Sequence, residues 1–352
     1  MTPLASLLIR RIAEAGPITL ADYMTECLLH PTLGYYTTRD PFGVQGDFIT
    51  APDISQMFGE LLGLWLAQGW LDQGAPPAFA LAELGPGRGV LMADVLRATR
   101  RVPGFHAAMR LVLIEASPRL RAVQQAALAG HAVTWADDLT DLPDLPLFLL
   151  ANEFFDALPI RQFTRRGQAW AETVVGVVDG ALTLGLAAPL QLGLLARRLD
   201  DTAEGDVVEV CAAAAPIISA IGAQIARRGG AALIIDYGNW QGHGDTFQAM
   251  RHHGHNAPLA EPGLADLTAH VDFAALADAA RPAQARYTTQ GAFLTALGIE
   301  TRAAALAARL EGNALTSHHA ALRRLTADAE MGQLFKVLSL TPPNHPPLPG
   351  TA

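Results

Sequence analysis

The run Ala82-Glu83-Leu84-Gly85-Pro86-Gly87-Arg88-Gly89 sets a carboxylate and a set of glycines where an apolar stretch gives way to a helical one. Glycines at such a junction let the backbone turn sharply and approach a bound molecule with no Cβ in the way. A dinucleotide fingerprint, G-x-G-x-x-G, would need its third glycine at position 90, where Val90 stands, so a nicotinamide enzyme is disfavoured. Glu115 closes the next apolar run, Leu111–Glu115, where a carboxylate can accept both hydroxyls of a ribose. Such charge-to-hydroxyl bonds are worth ~1.5–3 kcal/mol. Asp137-Asp138 follows a third run, and Asn152-Glu153-Phe154-Phe155-Asp156 a fourth. Carboxylates at the binding edge of a sheet are costly unless paired with something, so Glu153 and Asp156 read as functional. Phe154 and Phe155 suit a lid or a core equally. His243, His252, His253, His255 and His270 are irregularly spaced among glycines with no cysteine beside them, so we expect no metal there and read a surface loop over the pocket.

The elements that must carry these residues follow from the apolar runs. Phe79–Leu84, Leu111–Glu115, Ala132–Trp135, Leu147–Ala151 and Ala231–Asp236 have strand length and are apolar almost throughout, with helical stretches at Val90–Arg101 and Pro118–Ala129 between the early ones. Short buried strands alternating with helices predict a doubly wound α/β domain with a parallel sheet covered on both faces. Residues 1–75 read as a helical N-terminal lid or cap segment, and 76–340 as the main domain. Within it, an insertion spans ~160–228 and a C-terminal portion runs over 240–340; a Pro-rich tail, 341–352, is expected to be loosely ordered. Ile160–Val178 reads as a β-hairpin turning at Arg165-Arg166-Gly167-Gln168, Asp200–Arg228 as one or two helices, and Phe335–Leu340 as a last strand.

Composition removes whole classes of function. The 352 residues carry 34 Asp+Glu against 25 Lys+Arg, a net charge of -9, so a nucleic-acid binder working through counterion release is not expected. Half the residues are hydrophobic and 17% charged, which excludes disorder. Cys27 and Cys211 sit in no CxxC, which suits a reducing compartment. Mean hydropathy is +0.21, yet the most apolar long segment, Val207–Ala226, is broken by Glu209, Pro216 and Gln224, so no membrane span is expected. Leu4, Leu7, Leu8 and Ile12 share one face of an amphipathic helix, and the basic pair Arg10-Arg11 follows the apolar run, the wrong order for a secretory signal.

The acid-x-G-x-G-x-G pattern resembles the first motif of class I S-adenosylmethionine-dependent methyltransferases. Asn152-Glu153-Phe154-Phe155-Asp156-Ala157-Leu158-Pro159 resembles, more narrowly, the signature of the MidA-like methyltransferases. Further blocks agree along most of the chain: His30–Tyr36, Gly46–Gln56, Ile235–Gly238, Asp266–Phe273 and Phe335–Leu338. The resemblance implies a Rossmann-like class I methyltransferase sheet with a helical N-terminal segment, the hairpin insertion and a C-terminal extension. It implies S-adenosylmethionine as cofactor, with Glu83, Gly85, Gly87, Gly89, Glu115 and Asn152 around it, Asp137 or Asp138 reading the adenine amino group, and Gly46, Asp47 and Gln56 as pocket residues. Mitochondrial members are complex I assembly factors that symmetrically dimethylate arginine on the 49-kDa-type subunit. The expectation carried over is a protein arginine methyltransferase acting on that subunit or a bacterial equivalent, cytoplasmic in a bacterium and in the mitochondrial matrix for eukaryotic relatives.

Arginine sets its own requirements. A guanidinium keeps its proton in proteins, with a pKa above ~12. One nitrogen must be aligned with the methyl–sulfur bond at ~3–3.5 Å. Carboxylates that grip the guanidinium supply alignment, and a carboxylate or histidine takes the proton released. Glu153 and Asp156 are the first candidates for those roles, Asp236 and His270 (with Asp272) the second. Two other readings compete: an assembly module that keeps the fold without turnover, and a small-molecule methyltransferase.

Overall fold

The computed structural model describes residues 1–38, 50–251 and 254–351. The chain divides into two compact units. One comprises Met1–Phe48, Asp156–Ala214 and Gln241–His270; the other Ile49–Phe155, Ala215–Trp240 and Val271–Ala352.

The second unit is built on an eight-stranded sheet. Phe79–Leu84 and Leu147–Asn152 are buried along their whole length, which requires cover on both faces and favours parallel pairing. The spatial order is Gln284–Thr289, Phe335–Thr341, Gly230–Asn239, Leu147–Asn152, Phe79–Leu84, Met109–Ile114, Val133–Ala136, with Val271–Asp272 added beside Gly230–Asn239. The five strands from Gly230–Asn239 to Val133–Ala136 pair in parallel, and Phe335–Thr341 lies antiparallel to both neighbours. This is the doubly wound sheet the apolar runs predict. The chain starts at Phe79–Leu84, winds outward through the next two strands, then crosses back to Leu147–Asn152. The topological switch point therefore lies between Phe79–Leu84 and Leu147–Asn152, and a ligand is expected at their carboxyl ends.

Packing holds those ends in place. The helices Gln56–Asp72 and Val90–Thr99 share one core with the sheet, and they approach so closely that a Cβ on Gly63 would lie 2.9 Å from Val95 Cα. Trp70, Phe79, Phe105 and Phe148 stack edge-on or tilted, with centroids 4.8–5.9 Å apart. The Pro-rich tail differs from its expectation. Leu348 is buried, Trp65 Nε1 donates to the Pro349 carbonyl at 2.9 Å, and a Cβ on Gly69 would lie 3.2 Å from Leu348 Cδ1, so the tail completes the core over the Gln56–Asp72 helix.

The first unit gathers three distant stretches. Its five-stranded sheet contains the expected hairpin, Arg161–Arg166 with Ala169–Val178, prolonged by Ala181–Leu186 and flanked by Ile18–Thr19 and Val207–Val210. Val207–Val210 corrects the helical reading of Asp200–Arg228. Three of its four residues are β-branched valines, the strand pairs with Arg161–Arg166, and within this segment only Ala214–Arg228 is helical. The histidine-rich stretch is likewise not a simple loop: Gln248–Arg251 forms the centre of a three-stranded sheet with Gly254–Asn256 and Asp266–Thr268. The helices Pro3–Ala15 and Leu20–Leu29 bury Leu4, Leu8, Ile12, Tyr23 and Leu28 against Val175, Ala249 and Leu267. Thr19 and Asp22 form a reciprocal capping box that starts the second of these helices. Among the described residues no helix is long and apolar enough to cross a membrane, and no group of three or more His, Cys, Asp or Glu is placed to hold a metal ion.

Candidate functional site

The glycine loop lies where Phe79–Leu84 hands over to the Val90–Thr99 helix. Gly85, Gly87 and Gly89 take φ of +58°, +52° and +79°, conformations that cost a residue with a Cβ about 1–2 kcal/mol each. Gly85 is constrained twice, because a Cβ there would lie 3.0 Å from Phe154 Cδ2. Its amide donates to the Ile114 carbonyl at 3.1 Å, joining the loop to the neighbouring strand end.

Register puts the two acceptors at the switch point on one face. Glu83 lies opposite Leu150 across the parallel pair, so Glu83 and Asn152 point to the same side. Glu83 is 3% exposed and its Oε2 has no hydrogen-bond partner; burial pushes its carboxyl up to about 8. Asn152 donates through Nδ2 to Glu153 Oε1 at 3.1 Å, while its buried Oδ1 has no partner. Two buried acceptors lacking donors, beside a loop open to backbone approach, fit a ligand that is itself cationic or donor-rich. The ammonium and sulfonium of S-adenosylmethionine have that character.

Glu115 is half-buried at the end of Met109–Ile114. Its Oε1 accepts from Ser117 N at 2.8 Å and its Oε2 from Gln124 Nε2 at 3.2 Å. Burial raises its pKa, with the Ser117 amide and the Gln124 side chain acting in the opposite direction. Asp137 and Asp138 are exposed and already engaged. Arg121 Nη2 reaches Asp137 Oδ1 at 2.5 Å, and Asp138 caps the short helix Leu139–Asp141 by accepting from Thr140 N at 2.7 Å.

The segment before the Gln56–Asp72 helix is tied to the same strand ends. Arg88 Nη2 donates to Asp53 Oδ1 at 2.5 Å, and Ala51 N donates to Glu153 Oε1 at 3.3 Å. Glu153 itself has φ +52°, a strained position for a non-glycine residue, held by the hydrogen bond that its backbone N–H donates to the Ile235 carbonyl at 2.9 Å. Asp236, fully buried, accepts from Phe155 N through Oδ2 and from Tyr237 N through Oδ1, both at 3.0 Å. It thereby fixes the exit from Leu147–Asn152. Gln56 is exposed, and its Nε2 donates to Glu60 Oε1 at 3.3 Å, next to the ion pairs of Glu60 with Arg97 and Arg302. Gly46 and Asp47 lie outside the described residues.

Asp156 and His270 belong to the first unit. The Asp156 carbonyl accepts from Ala269 N at 3.0 Å, and His270 N donates to Thr246 Oγ1 at 2.8 Å. Tyr36 donates to Asp266 Oδ1 at 2.8 Å, and burial, followed by the charges of Asp266 and Asp156, drives its hydroxyl well above the usual range. Asp272 caps the Phe273–Ala279 helix through Ala275 N at 2.9 Å. Sequence reasoning passed over Tyr36, Asp53, Arg88 and Gln124. Arg88 was visible inside the glycine motif, whereas nothing in sequence separates Gln124 from the other polar residues of its helix.

Comparison with known proteins follows the same line. Residues 61–292 match the family model described as "Putative S-adenosyl-L-methionine-dependent methyltransferase". Protein arginine methyltransferase NDUFAF7, mitochondrial, from Bos taurus is 36% identical over 375 residues, covering 97% of this chain and 84% of that protein. The human protein of the same name is 38% identical over 334 residues, covering 86% of this chain and 75% of its own. A solved structure from Burkholderia thailandensis, bound to S-adenosyl-homocysteine, superposes with a TM-score of 0.84 at 31% identity, covering 98% of this chain and 93% of that one.

Proposed function

The chain belongs to this S-adenosyl-L-methionine-dependent methyltransferase family, and from that premise we propose that it transfers the methyl group to an arginine side chain of a protein. The supporting observation is that relatives matching nearly the whole chain are named protein arginine methyltransferases. S-adenosylmethionine, when bound, supplies an electrophilic methyl on a sulfonium. In our reading the glycine loop, Glu83 and Asn152 hold its cationic amino-acid part, and Glu115 takes the ribose hydroxyls. Glu153 is the carboxylate assigned to the guanidinium, because its strained backbone fixes it at the sheet's binding edge. Asp236 acts behind it by ordering the turn. Asp156 and His270 remain candidates, each to be tested by its own variant.

The finer proposal is symmetric dimethylation of the 49-kDa-type subunit of respiratory complex I or its bacterial equivalent, in the cytoplasm of a bacterium. It is supported by the family resemblance of the Asn152–Pro159 block. The test is incubation with isotopically methyl-labelled S-adenosylmethionine and the proteins of a strain lacking the gene, followed by mass spectrometry of arginine. Labelled dimethylarginine should form with the wild type and fall at least ~100-fold with Glu153→Gln. Label confined to small molecules, or no transfer by a protein that binds S-adenosyl-homocysteine, would overturn the arginine reading.

A further inference from the structure

We propose that Gln124 is a positioning residue for the cofactor, acting through Glu115 and Gly87; this rests on the reading of Glu115 and the glycine loop as cofactor contacts. The helix Pro118–Ala127 has four polar side chains, Arg119, Arg121, Gln124 and Gln125, and of these only Gln124 is buried, at 0% exposure. A buried amide is stable only when its bonds are made, and this one is satisfied by three different segments. Nε2 donates to the Gly87 carbonyl at 2.8 Å and to Glu115 Oε2 at 3.2 Å, while Oε1 accepts from Trp135 Nε1 at 2.8 Å.

The pattern permits one orientation. Rotating the amide by a half-turn would set its NH2 against the Trp135 N–H and its oxygen against the Gly87 carbonyl and the Glu115 carboxylate. Gln124 therefore acts as a donor toward the glycine loop and the Glu115 acid, with Trp135 on the next strand locking that polarity. The Gln124 stem also lies beside the loop, where a Cβ on Gly89 would meet its Cγ at 3.5 Å, an ordinary van der Waals contact. One uncharged side chain thus sets the spacing between the loop assigned to the amino-acid end of the ligand and the acid assigned to its ribose. A carboxylate at this position would repel Glu115, and an apolar chain would leave it held by Ser117 N through Oε1, with its Oε2 no longer tied to the glycine loop.

The experiment is calorimetry of S-adenosyl-homocysteine binding to the full chain, well below the melting temperature, for Gln124→Met, Glu115→Gln and the double variant. Gln124→Met should weaken binding by about tenfold or more, and Gln124→Glu by more than that. The double variant should lose less than the product of the two single losses, because part of the Gln124 effect passes through Glu115. Trp135→Phe, which removes the lock and keeps the packing, should give a smaller loss in the same direction and decides the matter if Gln124→Met does not fold. Unchanged affinity in folded variants, or single losses that multiply, would overturn the proposal while leaving the cofactor reading intact. A wild type that binds no S-adenosyl-homocysteine would defeat that reading, and the proposal with it.

Discussion

Glu83 carries a measurable consequence of its burial. In the unfolded chain its carboxyl titrates at its ordinary value of 4.5, and in the fold burial moves it up to about 8. Between those values the folded protein holds a proton the unfolded chain has lost, so stability is full below 4.5 and declines as pH rises through about 8. Glu83→Gln removes that slope and raises stability above the window by on the order of a few kcal/mol, as read by urea melts on either side of it. The same variant should weaken S-adenosyl-homocysteine binding at least ~10-fold, because the ligand loses its carboxylate partner. A variant with wild-type affinity would remove Glu83 from the site. Gly85→Ala should cost about 1–3 kcal/mol in thermal melts, from its φ of +58° and the Phe154 ring 3.0 Å from the added Cβ. Both residues were legible in sequence, because an acid and glycines at a strand-to-helix junction have few other uses. Gln124 was not legible: its role depends on Trp135 Nε1 and Gly87 O arriving from elsewhere in the chain.

At the scale of elements, the parallel strands were legible because burial on both faces leaves unbroken apolar runs, and the switch point followed from their order. The tail misled because Pro342–Pro349 has the composition of a loose end, whereas its one large apolar residue, Leu348, is 2% exposed. Leu348→Ala should therefore destabilise the second unit by about 2–4 kcal/mol, the usual cost of emptying a buried leucine site, seen as a lower denaturation midpoint. No change would mean that the tail is not docked in solution. The short helix Ala51–Ile54 makes a different point. Its Asp53–Arg88 pair is only partly shielded, the arginine side chain being 35% exposed, so it contributes ~1 kcal/mol at most. Asp53→Asn should leave the melting temperature nearly unchanged while faster amide exchange appears over Ala51–Ile54, because what the pair supplies is local order beside Glu153.

For the whole molecule, the acidic balance reads differently once the acids are placed. Glu83, Glu115 and Glu153 stand at strand ends of the second unit, while Glu60 and Asp94 are spent on the arginines that join its helices. The net charge of -9 is thus a poor guide to function, and position decides. Of the first unit, the Arg161–Val178 hairpin and the first amphipathic helix were legible, but the sheet they belong to was not, because its other strands pair across great sequence distance: Ile18 with Val175, and Phe163 with Val208. Local pattern shows that such segments are apolar but not which partner completes them. The division has a testable corollary. Every described residue assigned to the cofactor lies in the second unit, so a cavity cut into the core of the first should damage folding without touching the ligand's contacts. Val175 is fully buried in that core among Leu4, Leu8 and Ile18. Val175→Ala should lower the melting temperature by several degrees, from a loss of about 1–3 kcal/mol. Below its melting temperature, the variant should bind S-adenosyl-homocysteine within about twofold of wild type, since no residue assigned to the ligand is a member of that core and sites without shared partners behave additively. A large loss of affinity in the folded variant would overturn the expectation that this core and the described cofactor residues are independent.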